Sequence, residues 1–306
     1  MYDVIIIGGG PAGLTAGLYS SRARMNVLML EMLAPGGQVL NTDWVENYPG
    51  FPEGISGFEL VDRMKTQSEK FGLRIENEEA LRVKITDDKK IVETNKGTLE
   101  TKTIILACGA TWKKLGLEGE AQLAGKGVSY CATCDGPFYR DQDVAVIGGG
   151  DTAVEEAIFL TRFANKIYLV HRRDQLRATK LLQERAMSQE KIEFIWNTIP
   201  LKILGQDGVE GIELQNVKTG KIARKAIHGV FIFIGTLPNT GLVKGKVDLD
   251  DEGFVITDEN TRTSVPGVFA AGDIRSKSWR QISTAVGEGA TASFWAEKYI
   301  EEGHQS

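Results

Sequence analysis

The chain has 306 residues, enough for two domains of ordinary size, each with its own core. With 42% hydrophobic and 25% charged residues and no low-complexity tract, it reads as a soluble globular protein and excludes the disordered and fibrous classes. A formal net charge of −5 with no basic stripe argues against nucleic acid and for a small-molecule or protein substrate.

The amino terminus, "MYDVIIIGGG", carries no basic segment or cleavage site and runs directly into a strand, so it is not an export signal. Runs such as "VFIFIG" are too short to span a bilayer, and no membrane partner is expected. After the β-branched strand that opens at Asp3, the chain turns through Gly8, Gly9 and Gly10 into a helix containing Pro11, Ala12 and Gly13. This is the G-x-G-x-x-G fingerprint in its proper strand-turn-helix setting. The first glycine makes the turn, the second lets backbone approach a pyrophosphate, and the third lets helix pack on strand. Glu31 ends the next strand, where an acid hydrogen-bonds ribose hydroxyls. "TIILACGATWKKL" then reads as a further buried strand ending in glycine.

Three cysteines are present, Cys108, Cys131 and Cys134. An odd, low count argues for reduced thiols and the cytoplasm, with any disulfide catalytic. Cys108 ends a buried-type strand, has no partner in sequence, and reads as a packed core residue. Cys131 and Cys134 form a C-x-x-C, open to redox, zinc or incidental readings. Zinc lacks ligands at suitable spacing, since only Cys108, His171, His228 and His304 remain, and no metal is expected. The flanking Thr133 and Asp135 and the turn at Gly136-Pro137 favour a redox dithiol. Asp135 is the only adjacent titratable group. To protonate a departing sulfur near neutral pH, its pKa would have to rise by burial above the free value of about 3.9.

A second copy of the glycine turn follows. "DVAVIGGGDTAVEEAIFLTR" from Asp143 aligns without a gap on "DVIIIGGGPAGLTAGLYSSR" from Asp3, an offset of 143 − 3 = 140 residues. Gly148, Gly150, Asp151, Thr152 and Ala153 thus repeat the first turn, with Ala153 in the place of Gly13. The copies diverge where Glu31 is answered by His171, followed by Arg172, Arg173 and Arg177. A carboxylate repels a 2′-phosphate, whereas arginines form charge-assisted bonds to it. The first site therefore suits FAD and the second NADP(H); a merely solvated helix start is the alternative for "HRRDQLR".

"VFIFIGTLPNTGL" echoes the strand before Cys108, and "SVPGVFAAGDI" supplies one more strand before a helix beginning near Gln281. These signals predict an α/β fold of two Rossmann-like three-layer (ββα/parallel-sheet) dinucleotide-binding domains, the second inserted in the first. The flavin domain covers 1–112 and 243–306, and the nicotinamide domain with the dithiol covers 113–242.

"GGGPAGLTAGLYSSRA", "GGQ" at 36–38, "ENYPG" at 46–50, "CATCDG", "GGGDTAVEEA", "HRRDQLRA" and "AGD" with "RQ" at 280–281 together resemble the low-molecular-weight, bacterial-type thioredoxin reductases over essentially the whole chain. The resemblance implies FAD and NADPH as cofactors, a homodimer, thioredoxin as substrate, and a rotation of the inserted domain between steps. It makes Cys134 the sulfur facing the flavin, Cys131 the one that attacks thioredoxin, and Asp135 the acid. It places Gly37, Gln38, Asn47, Gly272, Asp273, Arg280, Gln281 and Ile282 against FAD. Ile282 stands where the family often has alanine, and Pro137 departs from its pattern in the loop that meets thioredoxin. Two other readings stay open: a flavoprotein dithiol oxidase or peroxide-system reductase on the same scaffold, and a nucleotide-sensing protein with a structural C-x-x-C.

Overall fold

Val4 to Ile7, in strand β1 (Tyr2–Ile7), are each at most 5% exposed. Side chains alternate across a strand, so an unbroken buried run requires both faces of the sheet to be covered. Val4 and Ile6 pack with Leu14, Ala292 and Ala296, while Ile5 and Ile7 pack with Val243, Val255 and Ile274 on the opposite face. The structure is a computed structural model that describes residues 1–42, 44–86 and 89–303.

After β1 come α1 (Pro11–Arg22), β2 (Val27–Glu31), α2 (Gly57–Lys70), β3 (Arg74–Asn77), β4 (Ala80–Ile85), β5 (Lys90–Thr94), β6 (Thr98–Leu106) and β7 (Ala110–Trp112). The middle of the chain forms β8 (Val128–Ser129), α3 (Ala132–Asp135), β9 (Asp143–Gly148), α4 (Asp151–Leu160), β10 (Lys166–Val170), α5 (Lys180–Met187), β11 (Ile192–Ile195), β12 (Thr198–Leu204), β13 (Gly211–Asn216), β14 (Ile222–Ala226) and β15 (Gly229–Phe233). β16 (Thr236–Pro238), β17 (Val268–Ala270) and α6 (Ile282–Glu302) complete it.

Two compact units result, residues 1–111 with 237–306 and residues 112–236. In the first, β3, β2, β1 and β6 lie side by side in parallel. The opening of β6 pairs antiparallel with β5, and its end pairs in parallel with β17. In the second, the parallel order is β11-β10-β9-β15-β8. Val144, Val146, Phe231 and Phe233 face α4, and Ala145, Ile147, Val230 and Ile232 face the antiparallel sheet β12-β13-β14 through Ile203, Ile212 and Leu214. This is the ββα layering expected from sequence.

The inner unit ends earlier than residue 242. The segment from Leu237 belongs to the first unit, because Asn239 donates its side-chain amide to the Cys108 carbonyl at 2.8 Å and Leu242 packs beside Val243 and Val255. Among the described residues, no helix is long and apolar enough to cross a membrane.

The close approach of α1 to β1 depends on a missing side chain. A Cβ on Gly13 would overlap the Gly8 carbonyl oxygen, which is backbone and cannot yield, whereas nothing lies within 4 Å of a Cβ on Gly241. Gly13→Ala should therefore cost about 1–3 kcal/mol, and Gly241→Ala should stay within about 0.5 kcal/mol of the parent. Equal denaturation midpoints for the two variants would contradict this account of the turn.

Candidate functional site

The first glycine turn is built from backbone geometry. Gly8 has φ +107°, and a Cβ there would overlap the Ala107 carbonyl of the neighbouring strand. Gly10 precedes α1, with Pro11 in its first turn and Ala12 buried. Glu31 closes the turn from below, its Oε2 accepting the Gly9 N–H at 2.7 Å and its Oε1 the Leu33 N–H at 2.9 Å. The loop at Gly36-Gly37 folds over the same place: Gly36 N–H donates to the Gly9 carbonyl at 2.8 Å, and a Cβ on Gly37 would lie 3.2 Å from Gly10 Cα. Gln38 follows in a 3-10 turn.

Other sequence-distant candidates converge on this unit. Gly272, φ +81°, comes so near α1 that a Cβ would meet Ala12 Cβ at 2.9 Å. Beside it, burial raises the Asp273 carboxyl above its ordinary value, with Lys277 and Arg280 pulling down and Glu288 pushing up. Arg280 donates from Nε to the Asp273 carbonyl at 3.4 Å and stacks over Phe254. Gln281 caps α6, its side chain accepting from Thr284 N–H, and its Oε1 accepts the Asn47 amide at 3.2 Å. Ile282 packs against the small core of Val39, Val45 and Ile55.

The second turn repeats the first with different chemistry. A Cβ on Gly148 would meet Ala153 Cβ at 2.5 Å, and Gly150 precedes α4. Asp151 accepts the Thr179 N–H at 2.7 Å, which ties the loop after β10 to the turn, and Thr152 is exposed. His171 occupies the position of Glu31, its ring packed against Gly149, and is 5% exposed with Nε2 buried and unpartnered. Burial lowers its pKa; Arg177, Arg172 and Arg173 repel its charged form, and a hydrogen bond to the Gly148 backbone acts the other way. The three arginines are exposed. They sit in a loop, and α5 starts only at Lys180, so "HRRDQLR" does not open a helix. Arg177 N–H donates to the Gly149 carbonyl at 2.7 Å, which anchors that loop over the glycines.

Cys131 and Cys134 are joined in a disulfide with Cα atoms 5.3 Å apart. Cys131 precedes the one-turn α3, where its Sγ accepts the Cys134 N–H at 3.2 Å and lies 3.3 Å from the Thr133 hydroxyl. Ala132 between them is fully buried in the core shared with α4, which fixes the short helix, while both sulfur-bearing residues remain half-buried. Asp135 ends α3 and is half-buried. Burial, helped by the Asp135 charge, pushes the Tyr139 phenol up to about 12, which places Tyr139 and Asp135 in one electrostatic environment. Cys108 is separate: its thiol donates to the Ile7 carbonyl at 3.4 Å, and burial pushes its pKa to about 12, which suits a packing role. Among the described residues, no group of three or more His, Cys, Asp or Glu could hold a metal ion; His304 lies outside those residues.

Several acids escaped the sequence reading. Glu120, 2% exposed, accepts from the Leu115, Gly116 and Leu117 N–H groups at 2.9, 2.6 and 3.3 Å and from the Tyr130 hydroxyl at 2.8 Å, and so ties the entry segment to the strand ahead of Cys131. Nothing in its local sequence signals burial. Glu156 on α4 has a buried Oε2 without a hydrogen-bond partner, and burial, helped by Glu155, pushes its carboxyl from 4.5 to about 7. The folded chain thus holds a proton that the unfolded chain releases near pH 4.5, so this contribution to stability is present below that pH and lost as pH rises through about 7. Glu156→Gln should match the parent in thermal stability at low pH and exceed it at pH 8, by on the order of 2 kcal/mol. A variant no more stable than its parent at pH 8 would contradict this.

Residues 2–289 match the model of the pyridine nucleotide-disulphide oxidoreductase family. The chain is 49% identical over 308 aligned positions to a thioredoxin reductase of Peptoclostridium litorale, covering 99% of this chain and 98% of that one. It is 48% identical to a thioredoxin reductase of Listeria monocytogenes, covering 99% and 95%. The crystal structure of thioredoxin reductase from Streptococcus pyogenes superimposes with a TM-score of 0.94 at 50% identity, covering 99% of each chain. The family implies use of a flavin and a pyridine nucleotide. Two glycine turns in register, a disulfide on the unit of the second, and relatives that match from end to end place this chain in the pyridine nucleotide-disulphide oxidoreductase family, in its thioredoxin reductase branch.

Proposed function

We propose that this chain is an NADPH-dependent thioredoxin reductase of the cytoplasm, acting as a homodimer. It binds FAD on the unit of residues 1–111 and 237–306 and NADPH on the unit of residues 112–236. The observation that carries the reading is the Cys131–Cys134 disulfide on the same unit as the second glycine turn. The residues suit both groups. The first turn has the cradle a Cβ would fill, Glu31 at the ribose position, and a buried Asp273 Oδ1 without a hydrogen bond. The second has a comparable cradle, an unpartnered His171 Nε2, and exposed arginines in place of the acid. Arg172, Arg173 and Arg177 select the 2′-phosphate, and Glu31 disfavours it on the flavin unit.

A bound flavin supplies the two-electron chemistry that links a hydride donor to a disulfide. Two electrons delivered to the Cys131–Cys134 bond break it; Cys134 is the sulfur nearer the flavin, and Asp135 protonates the departing Cys131 sulfur. Asp135, left as a carboxylate, takes that proton back as the Cys131 sulfur attacks the thioredoxin disulfide as a thiolate, and the thioredoxin sulfur expelled in forming the mixed disulfide takes up a proton. Cys134 resolves the mixed disulfide, which restores the Cys131–Cys134 bond and releases thioredoxin as a dithiol. Before reduction, the Cys131 sulfur already receives the Cys134 N–H and lies beside the Thr133 hydroxyl, donors that stabilise a thiolate there.

Because the dithiol and the nicotinamide site share one unit, that unit has to present each in turn to one flavin and then expose Cys131 to a protein. A rigid rotation about the two chain crossings meets this demand. A cross-link that holds the dithiol on the flavin should leave the disulfide open to small thiols but stop thioredoxin turnover; full turnover in the verified locked state would remove the rotation. The function itself is tested by following NADPH consumption anaerobically with oxidised thioredoxin and, separately, in air without it. Fast consumption only in the first case is the expected result, and fast consumption only in air would instead indicate a dithiol oxidase.

A further inference from the structure

Around Asp273 the first unit carries more charge than a dinucleotide turn requires. Lys277 Nζ lies 3.3 Å from Asp273 Oδ1, an ion-pair contact that pulls the carboxyl's pKa down but is not aligned as a hydrogen bond, and Oδ1 is otherwise sealed from solvent. The same ammonium donates to both Glu288 oxygens, at 3.2 and 3.3 Å. Glu288 is held in turn by Arg275 at 3.2 Å, and its Oε2 accepts the Gly272 N–H at 2.7 Å. Lys277 and Glu288 keep only 11% and 17% of their side-chain surface, whereas Asp273 keeps 33%. One buried cation is therefore shared between two carboxylates, and the aligned hydrogen bonds go to Glu288.

We propose that Glu288 is a positioning residue for flavin binding: by holding Lys277 it keeps that cation from capturing Asp273, whose carboxylate stays available as an acceptor for the hydroxyls of the flavin side chain. The inference rests on the FAD reading and adds to it a residue without contact to the ligand. A buried carboxylate with an aligned ammonium partner is a poorer acceptor for a third group, because the cation already stabilises its charge and fixes its orientation. Without the Glu288 charge, Lys277 keeps a single anionic neighbour at 3.3 Å and turns to it.

The test is the rate of flavin release from the purified holoenzyme after dilution, read as the rise in free-flavin fluorescence. Glu288→Gln retains an acceptor for the Gly272 N–H but loses the charge, and release should quicken about tenfold, the scale of one charged hydrogen bond. Lys277→Met in the Glu288→Gln background removes the competitor and should bring release back to within about threefold of the parent, a coupling a merely structural role would not produce. Lys277→Met alone should release flavin no faster than the parent, a check that stands even if Glu288→Gln folds poorly. The inference is overturned by equal release from parent and Glu288→Gln, by a double variant as fast as Glu288→Gln, or by faster release from Lys277→Met alone. A parent that carries no flavin would overturn the FAD reading as well.

Discussion

Cys131→Ser and Cys134→Ser are each expected to lower thioredoxin turnover by on the order of a thousandfold or more, since each removes one half of a unit that works only as a pair. Both should still take hydride from NADPH, because the glycine turns and their anchors lie outside α3. The variants should differ in colour. With Cys134 facing the flavin, Cys131→Ser leaves a thiolate against the ring and should gain long-wavelength absorbance as pH rises, and Cys134→Ser should not. Cys131 caps the start of α3 and Cys134 lies within it, with similar exposure, so burial alone does not rank them, and the spectra do. Reversed spectra would exchange the two roles.

Replacing Arg172 and Arg177 with Ala should weaken NADPH by about 10- to 100-fold for each charge-assisted bond lost, and should leave NADH nearly unchanged. The proposed role suits the position of Arg177, whose backbone N–H anchors the loop on the Gly149 carbonyl and whose guanidinium lies beside Gly150. The same substitutions remove charges that hold the His171 pKa down, so the imidazole should titrate closer to its ordinary range in the variant. Nucleotide affinity over a pH series, with both NADPH and NADH, separates phosphate recognition from general damage to the turn. An equal loss for the two nucleotides would end the assignment of the arginines to the 2′-phosphate.

Both glycine turns were legible in the sequence because their requirement is local: a strand, a positive φ or a missing Cβ, and a helix. The register of 140 residues then carried Glu31 and His171 to equivalent places, and the two lie against Gly9 and Gly149, the middle glycines of their turns. The chain crossing near 242 was harder to read. "NTGL" continues the pattern of a buried strand, and its tertiary contacts, the hydrogen bonds of Asn239 to Cys108 and Gly109 and the packing of Leu242 beside Val243 and Val255, show that it belongs with the first unit. Glu120, Glu156 and Glu288 were illegible for a common reason. A carboxylate in sequence looks like a solvated charge, and only the folded surroundings bury it: Glu120 is enclosed by the Leu115, Gly116 and Leu117 N–H groups and the Tyr130 hydroxyl, Glu288 holds the Gly272 N–H, and Glu156 Oε2 is sealed with no hydrogen-bond partner.

The central claim, that hydride entering through a pyridine nucleotide leaves through the Cys131–Cys134 pair, is tested most directly by anaerobic titration of the purified yellow protein with NADPH. Flavin absorbance and the thiol state of the two cysteines are followed together, with and without oxidised thioredoxin. Without thioredoxin, the chain should take up one hydride for the disulfide and one for the flavin, and both cysteines should become alkylatable before bleaching is complete. With oxidised thioredoxin present, the yellow colour should persist until thioredoxin has become a dithiol. Complete bleaching with the Cys131–Cys134 bond intact, and no thiol appearing on thioredoxin, would contradict the account.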